Sequence, residues 1–211
     1  EPLVDLKLSR NLSFTSANSA ALLVMLVYGG AIFLFPFYLE YVKGLGTDVA
    51  GLVLMVPAVA TMIVALWAGA LSDRVGSRKI CVAATLLCVV GFYLFSFLDA
   101  NSSRVFIFFV LVVLGLSLGI FIPPNSNLIM AQCPADKCGI ASSLMMTARD
   151  VGTVIGIAIF EMIFSSRVHA TGLSDGASIG ALTLGFHDAF LVGVGFSILA
   201  VILSVVAKDA R

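Results

Sequence analysis

Charged residues are scarce in this sequence. Asp, Glu, Lys and Arg make up 11% of its 211 residues, whereas an average soluble domain carries roughly 25%. Twelve basic residues balance twelve acidic ones, so the formal net charge is zero, and no basic block is available to neutralise nucleic-acid phosphates. The low charge excludes a nucleic-acid partner and, together with 60% hydrophobic residues, predicts a membrane protein.

Cysteine is also sparse, and its spacing does not fit a metal or redox site. Cys81, Cys88, Cys133 and Cys138 lie in or near apolar stretches, and the segment CPADKC lacks the CxxC spacing of zinc and dithiol sites. We therefore expect four free thiols, no bound metal and no cofactor.

Long apolar stretches dominate the sequence instead. A helix that spans a bilayer needs about 20 apolar residues at a rise of 1.5 Å per residue, and six stretches reach this length. None of them shows the strict alternation of a barrel strand, so the sequence predicts an all-α membrane protein, a six-transmembrane-helix bundle. The spans are expected at residues 17–41, 49–71, 80–98, 105–130, 139–164 and 186–207.

The expected domain organisation is simple. Residues 17–211 are expected to form one transmembrane domain, and residues 1–16 a cytoplasmic linker. The sequence begins at Glu1 without an initiator Met, and no signal peptide precedes the first span. We therefore expect a fragment of a longer chain.

The distribution of Lys and Arg predicts the orientation of the bundle, because cytoplasmic loops of membrane proteins carry more of these residues. If both termini are cytoplasmic, eight cations lie inside and three outside, while Arg149 falls within the fifth span. We expect a multi-pass protein of the cell (plasma or inner) membrane with both termini of this sequence in the cytoplasm. The inner cations are Lys7, Arg10, Arg74, Arg78, Lys79, Lys137, Lys208 and Arg211, and the outer ones are Lys43, Arg104 and Arg167.

A polar loop between the second and third spans carries a motif. It reads GALSDRVGSRK, and its marked residues are Gly69, Asp73, Arg74, Gly76 and Arg78. Gly76 permits a tight turn, and the carboxylate of Asp73, at a helix C-terminus, requires a cation or the N-terminus of another helix as its partner. The loop resembles the inter-helix signature of the major facilitator superfamily. We expect it to act as a gating loop that joins and releases the cytoplasmic ends of two halves of a transporter.

The resemblance covers nearly the whole chain. EPLVDLKLSRNLSF resembles the linker that leads into the second half of drug:proton antiporters of the fourteen-helix type, and PFYLEYVKGLGTDVAGLVLMVP, GLSLGIFIPPNSNLIM and GIASSLMMTARDVGTVIGIAIF resemble their helices. It implies the C-terminal half of a major facilitator fold, with the N-terminal six to eight helices of the same polypeptide missing. It also implies a secondary active transporter in the lipid bilayer that exports amphipathic drugs or toxic compounds in exchange for protons by alternating access. The acidic residues that this family uses for proton coupling belong largely to the absent half.

Three charged residues, Arg149, Asp150 and Glu161, fall within the fifth span. An Arg or Asp near the centre of a membrane helix costs at least about 2.5 kcal/mol, so we expect these side chains to face protein or water. The eleven steps from Asp150 to Glu161 return to within about 20° of the same helix face and rise about 16 Å. Both carboxyl groups can therefore line one wall of a cavity.

Two roles are open for Asp150. It faces the central cavity and binds a proton or a cationic substrate, or it forms a network with Arg149 that only fixes the packing of the helix. Adjacent residues on a helix do not face each other, so Arg149 is expected to find an anion on another helix.

Polar residues also interrupt the fourth span. Pro123 and Pro124 remove backbone donors beside Asn125 and Asn127, which predicts a polar surface at membrane depth. The expected substrate or proton pathway therefore consists of Arg149, Asp150, Glu161, Asn125 and Asn127.

Glycines four residues apart occur in two spans, as Gly115 with Gly119 and as Gly152 with Gly156. Such pairs allow two helices to approach closely, and we favour this packing role over a place in a cavity wall.

Other functions are weighed against drug export. A carrier specific for an organic anion, a sugar or a siderophore would use Arg149 as its anion contact, and a non-transporting six-helix scaffold would need no second half. An intramembrane serine protease is disfavoured, because Ser117 lies about 18 Å below the outer end of its helix while His187 lies at the outer end of the sixth span. A catalytic contact requires about 3 Å, so we expect no enzymatic activity.

Overall fold

The computed structural model describes residues 11–134, 137–170 and 179–209, apart from the side chains of residues 169 and 170. These residues form six long helices joined by short loops, and no strand occurs in the described ranges. Each helix is long and apolar enough to cross a membrane, which confirms the six-helix bundle. The helices are α1 (Leu12–Phe37), α2 (Thr47–Val75), α3 (Ser77–Phe95), α4 (Arg104–Met130), α5 (Cys138–Ala170) and α6 (Ile179–Val206).

The helices begin and end at residues that differ from the expected spans, most clearly at the start of α1 and between α5 and α6. Asn11 accepts hydrogen bonds from the backbone amides of Ser13 and Phe14 and so starts α1 at Leu12, which places residues 12–16 in the helix rather than in a linker. Residues 1–10 of that expected linker lie outside the described range. The expected spans 139–164 and 186–207 are also too short, because α5 continues to Ala170 and α6 begins at Ile179.

Two helix pairs form the closest contacts of the bundle. α1 packs along α5 and α2 packs along α4, while α3 lies between α4 and α6. The contact of α1 with α6 corresponds to the contact of α4 with α3, just as α1–α5 corresponds to α4–α2. The first three helices and the last three therefore make equivalent contacts, as expected of two internal repeats.

Glycines make the close approach of these pairs possible. A Cβ at Gly152 or Gly156 would overlap the backbone of α1 at Leu22 or Leu26. On the other pair, a Cβ at Gly119 would lie 2.6 Å from the carbonyl oxygen of Thr61, and Thr61 donates a hydrogen bond to the Gly115 carbonyl at 2.9 Å. The glycine pairs therefore serve helix packing.

The core is densest at the end of the bundle that holds the α1–α2 and α3–α4 loops, which we call the distal end; the opposite end, with Asn11 and Lys208, is the terminal end. The last turn before the first distal loop is a π-helix, Tyr38–Val42, which follows Pro36, a residue that cannot donate a backbone hydrogen bond. Tyr38 is fully buried and donates to the Asp99 carbonyl at 2.7 Å. Its neighbours in the core include Phe35, Phe92, Phe95, Phe160, Phe186 and Phe190.

Candidate functional site

Asp150 and Glu161 lie on the exposed face of α5. Both side chains are exposed, as is Val154 between them at 67%. The opposite face of α5 is the one that packs against α1 through Gly152 and Gly156. The structure therefore brings the two carboxylates onto one helix face.

Arg149 points away from that face and reaches α4. Its Nη2 donates a hydrogen bond to the Ser126 hydroxyl at 2.9 Å, and that hydroxyl donates to the Ile122 carbonyl at 2.8 Å. Within residues 11–134, 137–170 and 179–209, Arg149 has no ion pair. Its observed partner is thus a hydroxyl on another helix, where an anion was expected, and Arg149 and Asp150 form no ion pair among the described residues.

Several buried polar atoms on α1, α4, α5 and α6 have no hydrogen-bond partner among the described residues. They are the Arg149 Nε, the Asn125 Nδ2, the Asn18 Oδ1 and the Ser204 Oγ. Asn125 is only 2% exposed. Buried polar groups normally pair with protein, water or ligand, so each of these atoms can still accept or donate one hydrogen bond.

Asn18 is a candidate that the sequence reasoning missed. Its Nδ2 donates to the Phe14 carbonyl at 3.0 Å, which leaves its Oδ1 as an acceptor, and it lines a cavity of about 210 Å³ with Leu22, Leu144 and Ala148. The available signal was a lone amide within a span rich in alanine and leucine. Asn127, by contrast, is exposed and does not join the buried set.

The α2–α3 loop, which carries the residues predicted to act in gating, is built around a left-handed glycine. Gly76 ends α2 and begins α3 with φ of 100°, a conformation that favours glycine over residues with a Cβ. Asp73 and Arg74 are exposed on the last turn of α2, without an ion pair in the described part of the chain. Gly69 lies on α2 beside Pro123 of α4. The charges of this loop are therefore free to meet another part of a longer protein.

Arg78 differs from its neighbours because it is engaged within the bundle. Its backbone amide donates to the Asp209 carboxylate at 3.0 Å, and its guanidinium donates to the Val205 carbonyl. Asp209 thus caps α3 while Arg78 satisfies a carbonyl in the last turn of α6. This exchange could not be predicted from local sequence, because 131 residues separate Arg78 and Asp209.

The segment after α6 ties further elements together at the terminal end. The Lys208 carbonyl accepts from Gln132 at 2.9 Å, and the Lys208 amide donates to Ser13 at 3.2 Å. Gln132 also accepts from Asn11 at 3.2 Å. These bonds hold the terminal ends of α1, α4 and α6 in one arrangement.

The distal end holds a second set of charges. Arg167 on α5 forms an ion pair with Asp188 on α6, and the His187 ring lies 3.4 Å from the same carboxylate. Lys43 donates to the carbonyls of Ala100 and Ser102, both at 2.8 Å. Lys7, Arg10 and Arg211, three of the eight cations expected in the cytoplasm, lie outside the described residues.

Neither a protease site nor a metal site emerges from these contacts. The Ser117 hydroxyl is buried and donates to the Leu114 carbonyl at 2.8 Å, whereas His187 contacts Asp188 at the distal end. Among the described residues, no group of three or more His, Cys, Asp or Glu side chains could hold a metal ion.

The fold defines a multi-pass helical membrane protein, and comparison with solved structures narrows its class. A bacterial homologue of the human drug and peptide transporters PepT1 and PepT2 superposes with a TM-score of 0.78 at 19% identity, over 95% of this chain and 43% of that one. A bacterial homologue of the human lysosomal transporter Spinster superposes with a TM-score of 0.77 at 17% identity, over 97% of this chain and 50% of that one. The fold is that of membrane transporters.

Comparison with known sequences identifies the family. Residues 2–157 match the Major Facilitator Superfamily, and the chain belongs to this family. Its relatives include the riboflavin transporter RibZ of Clostridioides difficile, 32% identical over 80% of this chain and 37% of RibZ. They also include the multidrug efflux pump LfrA of Mycolicibacterium smegmatis, 32% identical over 78% of this chain and 33% of LfrA.

A third relative aligns over the whole chain. The lincomycin resistance protein LmrB of Listeria monocytogenes is 23% identical over 100% of this chain and 46% of LmrB. The chain thus spans a third to a half of the length of the curated relatives it matches. Because its relatives are transporters rather than enzymes, the chain is not an enzyme.

Proposed function

We propose that this chain is the C-terminal half of a transporter that exports amphipathic drugs or toxic compounds in exchange for protons. The observation that carries the proposal is the exposed α5 face with Asp150 and Glu161. Lipid does not tolerate charged side chains at bilayer depth, so this face requires protein or water against it. The missing N-terminal six to eight helices of the same polypeptide would supply both, by forming the opposite wall of a hydrated cavity.

Within that cavity, Asp150 is proposed as the site that holds a proton or a cationic substrate. Its carboxylate is exposed on the half described here and has no ion pair among the described residues. In one state of the transport cycle a second half would cover α5, and in the other state water would reach this carboxylate. A proton and a cation could then bind to it alternately.

The polar groups around Arg149 are proposed to form the inner part of the pathway. The Arg149 Nε and the Asn125 Nδ2 are donors without partners, and the Asn18 Oδ1 is an acceptor without one. Asn127 would reach the pathway only from the exposed surface of α4. Donors and an acceptor together suit uncharged polar groups of a substrate.

The experiment uses everted membrane vesicles that contain the full-length protein. With the vesicle interior acidified, we expect uptake of a cationic amphipathic dye that stops when the pH gradient is collapsed. Asp150→Asn should abolish the gradient-dependent part of uptake, because the amide cannot exchange a proton. Asp48→Asn, at the exposed start of α2, is the matched control and should transport normally. Normal uptake by Asp150→Asn, at equal protein level, would contradict the proton-site proposal.

A second candidate function is transport of one specific solute, such as an organic anion, a sugar or a siderophore. The identity with RibZ, a riboflavin transporter, favours it, and so do the free donors and acceptor around Arg149, which suit a ring system rich in carbonyl and imide groups. In the same vesicles, riboflavin and anionic compounds should then compete with each other and not with cationic dyes. Competition by cationic dyes alone would reject this candidate.

The gating loop is proposed to join the two halves at their cytoplasmic ends in one state of the transport cycle and to release them in the other. Asp73 and Arg74 are exposed, so their charges are available to another part of the protein, while Arg78 holds the loop to α6. We expect Asp73→Asn to slow vesicle uptake while leaving dye affinity unchanged, because the substituted residue lies away from the cavity. Parallel loss of binding and transport, measured by dye fluorescence and vesicle uptake, would count against a gating role.

A further inference from the structure

An apolar groove runs along α2 and α4 from the distal end toward the middle of the bundle. It consists of two adjoining cavities of about 360 and 470 Å³, and Leu52 and Phe108 line both. We call it the α2/α4 groove. Leu52 is 67% exposed and Met55 57%, so the groove is open along its length.

A single cation stands at the distal end of this groove. Arg104 is the first residue of α4, and all other residues that line the two cavities are apolar. Arg104 is exposed and forms no ion pair with any residue of the described ranges. The groove thus combines a free positive charge at its mouth with an apolar interior.

The length of the groove matches one leaflet of a bilayer. From Arg104 to Leu116, which lines the inner cavity, α4 rises about 18 Å at 1.5 Å per residue. The hydrocarbon core of a bilayer is about 30 Å thick, so half of it is about 15 Å. Arg104 therefore lies near the level of the lipid headgroups when the groove crosses one leaflet.

The polar features expected of a substrate pathway lie elsewhere. The exposed carboxylates Asp150 and Glu161 are on α5, and the unpartnered amide of Asn125 is buried below the groove, toward the terminal end of α4. The groove itself offers no carboxylate, amide or hydroxyl among its lining side chains. Its chemistry suits a molecule with an anionic head and a long apolar tail.

We propose that the α2/α4 groove binds an anionic phospholipid, with one acyl chain along α2 and α4 and the phosphate paired with Arg104. Basic side chains at membrane interfaces attract anionic lipid headgroups, and an Arg stem packs on apolar surface while its guanidinium stays at the interface. The site concerns the lipid around the transporter, so it does not depend on what the protein exports.

The experiment measures thermal unfolding of the full-length protein after removal of lipid in a neutral detergent. Phosphatidylglycerol is added in parallel with phosphatidylcholine, which has no net charge, and with glycerol 3-phosphate, which has no tail. We expect phosphatidylglycerol to raise the unfolding midpoint by about 5 °C, and the other two compounds to raise it much less.

Three variants test whether phosphatidylglycerol acts at the α2/α4 groove. Arg104→Gln should lose most of the response to phosphatidylglycerol, because the headgroup loses its partner. Val112→Trp, which fills the inner cavity lined by Val112, should lose it as well while keeping Arg104. Arg167→Gln removes a cation at the same end of the bundle but outside the groove and should keep the full response.

Several results would overturn the proposal. An unchanged midpoint with phosphatidylglycerol would mean that the rest of the polypeptide covers the groove. An equal response to glycerol 3-phosphate would reduce the site to a simple anion contact, and an equal response of Arg104→Gln would place the lipid elsewhere. If a variant does not fold, native mass spectrometry of the parent protein decides the question. Retention of phosphatidylglycerol in preference to phosphatidylcholine supports the site, and equal retention contradicts it.

Discussion

At the scale of single residues, Arg149 is the least satisfied charged group in the described part of the bundle. One of its nitrogens bonds to Ser126, while its Nε is buried without a partner. A buried charge that is only partly paired contributes little to stability and is costly to desolvate. Arg149 is therefore expected to contribute more to function than to the stability of the fold.

This argument predicts opposite effects for two substitutions. Arg149→Met, which removes the charge and keeps an apolar side chain of similar length, should leave the unfolding midpoint unchanged or raise it while lowering transport. Ser126→Ala leaves the guanidinium in place but removes its acceptor, so it should destabilise the protein by about 1–3 kcal/mol. Thermal unfolding in detergent and vesicle uptake measure the two effects. A large loss of stability in Arg149→Met would show that Arg149 stabilises the helix packing, and would contradict this argument.

Whether a feature of the site can be predicted from the sequence depends on how far apart in the sequence the contacting residues lie. The shared face of Asp150 and Glu161 follows from helix periodicity alone, and the sequence predicts it. The partner of Arg149 depends on how α4 crosses near α5, and nothing in the local sequence specifies a hydroxyl rather than an anion. Asn18 and Asp209 were missed for the same reason, because their roles arise from helices distant in sequence.

At the scale of the helices, the glycine pairs decide how closely the elements pack. Six spans and their type follow from apolar length, and the GxxxG-like spacing predicts close packing. Which helix meets which does not follow from that spacing, and the structure assigns Gly152 and Gly156 to α1 and Gly115 and Gly119 to α2. Helix ends are also hard to predict. The Asn11 side chain caps α1 within a segment that the sequence predicts to be a linker.

Gly156→Ala tests the packing of α1 on α5. The added methyl group would overlap the backbone at Leu26, and such overpacking costs about 1–3 kcal/mol. Gly195, on α6, has no atom within 4 Å of an added Cβ, so Gly195→Ala is the matched control. It should be neutral or slightly stabilising, by up to about 1 kcal/mol. Unfolding midpoints in detergent compare the two, and equal midpoints would contradict the close contact.

At the scale of the whole molecule, orientation and the second half are the main open predictions. Arg74, Arg78, Lys79, Lys137 and Lys208 lie at the terminal end, and Lys43, Arg104 and Arg167 lie at the distal end. This asymmetry supports the proposal that the terminal end faces the cytoplasm.

The loop between α4 and α5 offers a direct test of that orientation. Cys138 is exposed, Cys133 is partly buried, and Cys81 and Cys88 are buried. Burial raises the pKa of the Cys133 thiol, and the nearby Cys138 raises it further, so at a given pH less of Cys133 is present as the reactive thiolate. In everted vesicles, a membrane-impermeant maleimide should therefore label Cys138 first and Cys133 more slowly. Raising the pH should increase the rate at which Cys133 is labelled. Labelling of Cys138 in intact cells would contradict this orientation and place the terminal end outside the cell.

The central claim is that a substrate and a proton exchange at Asp150 in the full-length transporter. The most direct measurement is the release of protons from the purified, detergent-solubilised protein into a weakly buffered solution when a cationic substrate is added. We predict that the parent protein and Glu161→Gln acidify the solution on substrate addition. We predict that Asp150→Asn binds the cationic substrate more weakly and, at saturating substrate, without acidification. Equal proton release by Asp150→Asn, or substrate binding by the parent protein without any release, would contradict the claim.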